Sequence, residues 1–147
     1  MTLTLIKSGI EPNPTADQEE HTFTYALYPH AEGWRQANTV QEAMKLNQPL
    51  LSEDGGHAGC QNSFVWVDKS NVIIETVKMA EDDDGIIVRL YESENAKTKA
   101  HIFFGEKISS VESCNCLEEI KQTIETDGEG FEITVKPYEI QTYRVRF

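Results

Sequence analysis

The chain has 147 residues and carries 25 acidic against 13 basic side chains, a net charge of −12, so its surface repels nucleic acid and anionic membranes alike. With 39% hydrophobic and 26% charged residues it has the composition of one folded domain, and a domain of this length buries about 70% of the surface its unfolded chain exposes. That excludes long disorder and removes any need for disulfide staples.

Residues 2–7 alternate apolar and polar side chains, which predicts a half-buried strand. A chain that opens inside regular structure reads as a piece of a longer protein. Residues 8–20 read as a loop: Pro12 and Pro14 cannot sit in a central ladder, and Asn13 before Pro14 is biased to an extended shape. Residues 21–28 predict a second strand, with His21, Phe23, Tyr25 and Leu27 on one side and Thr22, Thr24, Ala26 and Tyr28 on the other. Pro29 and Gly33 end it. Residues 34–46 are the one helix candidate, because Trp34, Ala37, Val40, Ala43 and Met44 share a face at the helical period. Pro49 and the turn Asp54-Gly55-Gly56 follow.

From residue 62 the pattern is a succession of short strands, near 62–68, 71–80, 85–93, 98–104, 107–112, 121–126, 130–136 and 138–147. The turns between them are marked by Lys69-Ser70-Asn71, Asp82-Asp83-Asp84-Gly85 and Asp127-Gly128-Glu129-Gly130. Residues 72–80 and 85–93 predict a hairpin around the acidic turn, with Glu75 and Arg89 as a cross-strand pair. The expected fold is an all-β, two-sheet antiparallel β-sandwich with one short helix, a single domain over residues 1–147.

The chemistry-bearing residues are scattered. His21, His30, His57 and His101 show no pair spaced for a zinc hydrolase. His57 and Cys60 lie close together, but zinc needs about four ligands, and Cys114 and Cys116 are distant in sequence; the reading is no metal. Three cysteines are an odd count and predict no disulfide framework. With no signal peptide and no long apolar run, the expected compartment is the cytoplasm. Cys114 and Cys116 read as small core residues on one strand face. Trp34 and Trp66 are residues of the kind that stack on sugar rings; the favoured reading places them in the core, Trp66 buried on both sides within Phe64-Val65-Trp66-Val67. Tyr25 and Tyr28 read as core or domain-interface residues. Asp82, Asp83 and Asp84 read as a solvated turn. No nucleophile elbow, phosphate loop or nucleotide fingerprint is present.

Several stretches together carry a resemblance. They are Asp17-x-x-x-His21-x-Phe23-Thr24-Tyr25-Ala26-Leu27-Tyr28-Pro29-His30, then Leu46-Asn47-x-Pro49-Leu50, then Ser63-Phe64-Val65-x-Val67. Val72-Ile73-Ile74-Glu75-Thr76-Val77-Lys78, Gly85-Ile86-Ile87-Val88-Arg89-Leu90-Tyr91-Glu92 and the closing Pro137-Tyr138-Glu139-Ile140-x-Thr142-Tyr143-Arg144-Val145 follow in order. In this order they resemble the C-terminal part of the alpha-mannosidases of glycoside hydrolase family 38. The stretch Glu53–Asn62 matches nothing in that pattern, and Ile102–Glu106 fits it loosely.

The resemblance implies a division of labour. The family hydrolyses alpha-mannosides with retention and zinc assistance, a place in mannose metabolism, using a nucleophilic Asp and zinc ligands in earlier domains. None of those motifs occurs in this sequence. The chain is therefore expected to hold no catalytic residue, no metal site and no cofactor of its own, and to be inactive alone, with zinc expected in the full-length enzyme. Its expected partners are the catalytic and helical domains of the same polypeptide and mannose-containing glycans, and an exposed apolar patch or a homodimer is expected of the isolated piece. Within the Pro12–His21 loop, Asp17 and His21 are the substrate-cleft candidates: they fix each other or a sugar hydroxyl, or else Asp17 caps the loop and His21 bonds the backbone. The alternative functions are a free-standing carbohydrate-binding module and a metal-binding or interaction adaptor that uses the His57–Cys60 loop.

Overall fold

The computed structural model of the chain describes residues 2–52 and 63–147. It divides into two compact units, Met1–Ala31 and Glu32–Phe147. The second unit holds a helix, α1 (Thr39–Asn47), and eight strands: β1 (Val65–Val67), β2 (Val72–Met79), β3 (Ile86–Glu92), β4 (Thr98–Phe104), β5 (Ser110–Cys114), β6 (Ile120–Ile124), β7 (Gly130–Val135) and β8 (Ile140–Arg146). They form a three-stranded sheet ordered β1-β4-β7 and a five-stranded sheet ordered β2-β3-β8-β5-β6, antiparallel throughout. The fold is the expected sandwich.

Alternation along each strand builds the core between the sheets. Val88, Leu90, Val111, Tyr143 and Val145 come from the larger sheet and Ala100, Ile102, Phe104, Phe131, Ile133 and Val135 from the smaller. The Phe131 and Tyr143 rings meet across the layers at 4.9 Å. Each fully buried side chain of this size contributes about 1.5–3 kcal/mol. The last strand, β8, lies at the centre of the larger sheet, so the chain end is held by ladders on both sides.

One carboxylate is built into this core edge. Glu92 is 1% exposed. Its Oε1 accepts from Asn71 Nδ2 at 2.9 Å and from the Glu94 amide at 2.8 Å, and its Oε2 accepts from the Tyr138 amide at 3.0 Å. It thereby ties the start of β2 and the end of β3 to the β7–β8 turn, where Tyr138 takes a φ of 55°. Burial pushes the Glu92 carboxyl up, but the amides of Tyr138 and Glu94 and the Asn71 side chain outweigh it and hold it below the usual range.

Several expectations are corrected. Residues 2–7 and 21–28 are not strands; among the described residues no strand precedes Val65. Alternation supplies a face, but a strand also needs a partner to take its amides and carbonyls, and the first unit supplies none. The helix starts at Thr39, because Asn38 adopts a left-handed conformation (φ 51°) and the preceding residues form tight turns. Trp34 and Ala37 therefore lie outside it, and none of its residues is buried. Glu75 sits at a bulge in β2, so Thr76 rather than Glu75 stands opposite Arg89, and the expected pair is not made. Arg89 instead donates to Thr142 Oγ1 at 3.3 Å. Cys114 is buried, but Cys116 falls in the turn after β5 and is exposed. Tyr25 and Tyr28 are exposed, which removes the core reading and is compatible with the domain-interface one. No described helix is long and apolar enough to cross a membrane.

Candidate functional site

The loop of the first unit is organised by its own short polar side chains. The Asn13 side-chain oxygen accepts from the Thr15 amide and hydroxyl at 3.1 and 2.9 Å, and Gln18 Nε2 donates to the Pro14 carbonyl at 2.9 Å. Asp17, at a φ of 56°, accepts a hydrogen bond from the Ser8 hydroxyl. His21 Nε2 lies 3.1 Å from the Asp17 carbonyl oxygen, and its ring stacks on Phe23 at 6.1 Å. Asp17 and His21 are thus brought together, but through backbone, and both are exposed. An open cleft nearby is lined by Ile10, Glu11, Pro12 and Pro14 and by neither candidate residue.

The outer face of the larger sheet is a charge network. Arg144 is 5% exposed and donates to Asp82 at 2.7 Å; Arg146 donates to Glu112 at 2.7 Å and to both oxygens of Asp84. Glu118, buried in the β5–β6 turn, accepts from Lys78 Nζ at 2.8 Å and from the Glu81 amide at 2.8 Å. Lys78 and the Glu81 amide hold the Glu118 carboxyl below the usual range, and Arg144 does the same to Asp82. The acidic turn is therefore not simply solvated: two arginines of β8 clasp it. The carboxylates of this face are paired within it, while the buried Arg144 Nε has no hydrogen-bond partner.

The outer face of the smaller sheet is different. Register places Trp66 of β1 opposite Phe103 of β4, and Phe103 opposite Gly130 of β7. The Trp66 and Phe103 rings stack at 5.4 Å with planes 11° apart, and His101 lies against Phe103 at 4.3 Å. Trp66 is 42% exposed, which overturns burial on both sides. Val65 and Val67 turn toward the core, so an edge strand only three residues long presents its Trp outward. The row ends at a cleft of about 540 Å³ where β6 and β7 meet, lined by His101, Thr123, Thr126, Asp127 and Glu132 among others. Gly130 makes this possible. A Cβ there would stand 2.1 Å from the Ile102 carbonyl oxygen and 2.5 Å from His101 Nε2, so only glycine lets the imidazole lie across β7 into the cleft. His101 Nε2 has no hydrogen-bond partner and lies 3.7 Å from Asp127 Oδ2. Asp127 Oδ1 accepts from the Glu129 and Gly130 amides at 2.9 and 2.7 Å, and these amides hold its carboxyl below the usual range.

His101, Phe103, Asp127 and Glu132 were not legible as a group in the sequence. Alternation puts residues 101 and 103 on one face, but only the sheet register brings Trp66 and the β6–β7 turn beside them. Among the described residues no three His, Cys, Asp or Glu side chains are grouped to hold a metal ion, so these residues do not fit zinc. His57 and Cys60, and the whole Glu53–Asn62 stretch, lie outside the described residues. Trp34, 41% exposed, carries the Arg35 guanidinium over its ring at 4.9 Å.

Comparison with known proteins adds an independent line. The family described as "Glycosyl hydrolases family 38 C-terminal beta sandwich domain" matches residues 71–143. "Alpha-mannosidase G" of Dictyostelium discoideum is 31% identical over 97% of this chain and 14% of its own length. "Alpha-mannosidase 2C1" of Mus musculus is 27% identical over 97% of the chain and 14% of its own length. "Alpha-mannosidase" of Saccharomyces cerevisiae is 28% identical over 100% of the chain and 16% of its own length. The chain thus spans only a small part of the relatives it matches.

Proposed function

The chain belongs to glycosyl hydrolase family 38 as its C-terminal β-sandwich domain, and from that premise we propose that it is an accessory domain that packs on the catalytic part of an alpha-mannosidase and helps to shape its cleft. The enzyme as a whole hydrolyses alpha-mannosides with retention and zinc assistance, its nucleophile and zinc ligands lying outside this chain. The domain alone is inactive. Its partners are the remaining domains of that polypeptide and mannose-containing glycans, and its compartment is the cytoplasm, to which the free thiols of Cys114 and Cys116 are suited.

One observation carries the reading. Residues 2–7 and 21–28 have the alternation of strands, yet in their own unit Leu3, Leu5, Phe23, Tyr25 and Leu27 are all exposed and no ladder pairs the backbone. Two segments with exposed, alternating apolar side chains and no strand ladder of their own are suited to be completed by a neighbouring β domain. A self-contained module would have no use for them.

The test is hydrolysis of a chromogenic alpha-mannoside, with zinc, by this chain and by the longer polypeptide that contains it. An inactive chain beside an active longer protein supports the reading. Activity in the chain alone overturns it.

A further inference from the structure

The geometry points to a carbohydrate site on the smaller sheet: we infer that the row Trp66, Phe103, His101 and the β6–β7 cleft at its end bind a neutral hexose unit of a glycan. The identity of that hexose as an alpha-linked mannose rests on the alpha-mannosidase reading; the site itself does not.

The chemistry of the face selects the ligand. Ring C–H groups of a pyranose carry slight positive charge and pack on the negative face of an aromatic ring. Trp66, 42% exposed, offers such a face on the terminal strand of the described sheet, and its stacking on Phe103 at 5.4 Å fixes the ring plane before any ligand arrives. Hydroxyl groups need acceptors, and the cleft provides them: Asp127 Oδ2 and the exposed Glu132 carboxylate, whose Oε2 already meets Lys99 Nζ at 2.8 Å, with the Thr123 and Thr126 side chains beside them. A ligand that presents an apolar ring face and a rim of O–H donors matches both halves. The net charge of −12 and the carboxylates in the cleft reject phosphate or carboxylate ligands. An apolar protein surface would cover Trp66 and Phe103 but offer Asp127 Oδ2 no donor.

His101 couples the two halves. Its ring continues the stack at 4.3 Å from Phe103, while its Nε2 points to the Asp127 carboxylate without a hydrogen bond. Gly130 is the backbone device that admits it.

The experiment is an NMR titration of the whole 147-residue chain with methyl alpha-D-mannoside and with an alpha-linked mannotriose. Saturable shifts of the Trp66 indole N–H and the His101 and Phe103 rings are expected. Trp66→Ala weakens the binding about tenfold. Glu132→Gln, which leaves every ring in place, weakens it severalfold while the rest of the spectrum is unchanged. No saturable shift, or shifts that survive both substitutions, would overturn the site. Hydrolysis by the longer polypeptide is scored separately. An active enzyme beside a chain that binds no hexose overturns this inference alone; a chain that binds hexose beside a longer protein without alpha-mannosidase activity overturns the functional reading alone.

Discussion

The Arg146 guanidinium lies as a fork on the Asp84 carboxylate, Nε to Oδ1 at 2.9 Å and Nη2 to Oδ2 at 2.8 Å. It joins the last strand to the β2–β3 turn, 62 residues away in sequence. Lysine cannot reproduce two parallel donors. Arg146→Lys is expected to lower the thermal midpoint by about 2 °C, and the difference should shrink in high salt because the pair is partly exposed. A midpoint unchanged at low salt would show that the fork adds nothing.

Phe131 is the largest fully buried side chain and touches both Phe104 and Tyr143. Phe131→Ala should cost about 3–5 kcal/mol, the transfer of the ring plus the cavity left between two sheets. Chemical denaturation followed by far-UV circular dichroism measures it.

Glu92 makes folding depend on pH. Its carboxyl is held below the usual range in the folded chain, so the unfolded chain takes up the proton first. The stability it contributes is present above the unfolded value of about 4.3 and is lost as pH falls through the lower folded value. Glu92→Gln removes this dependence and also turns an amide group toward the Tyr138 N–H, at a cost of about 1–3 kcal/mol at pH 7. Denaturation at pH 7 and below pH 4 should show the gap between the two proteins narrowing with acid.

Gly130→Ala places a methyl group where the Ile102 carbonyl and the His101 ring already stand. Overpacking of this kind costs about 1–3 kcal/mol. The β4–β7 ladder should loosen, seen as faster amide exchange at Phe103 and Gly130, and the His101 ring resonances should move. Normal exchange with an unmoved His101 would refute the close approach.

Leu5→Ser and Phe23→Ser alter side chains exposed in their own unit. In the 147-residue chain each should change stability by less than about 0.5 kcal/mol. In the longer polypeptide the same changes should lower alpha-mannosidase activity and stability, because the proposed docking covers the side chains there. Equal, negligible effects in both proteins would count against docking through these segments.

The sequence by itself determined most of the sandwich. Period-two alternation and the turn Asp82-Asp83-Asp84-Gly85 are local signals, and the β2–β3 hairpin, β4 and β7 stand within a residue or two of where those signals put them. The ordered motifs also pointed to the family that the comparisons show. Pairing was decided by tertiary structure alone. Alternation in residues 2–7 and 21–28 is a necessary condition for a strand but not a sufficient one, since hydrogen-bond partners come from elsewhere in space. The bulge at Glu75 shifts register by one residue, which no composition rule anticipates, and it separates Glu75 from Arg89. Trp66, apolar among apolar neighbours, could face either way until the β1–β4 register turned Val65 and Val67 inward. The candidate glycan site belongs to this second class except for Trp66, which the sequence offers as a stacking residue without saying which way it faces. Its residues come from β1, β4, β6, β7 and the β6–β7 turn, and what unites them is the closeness of approach that Gly130 allows.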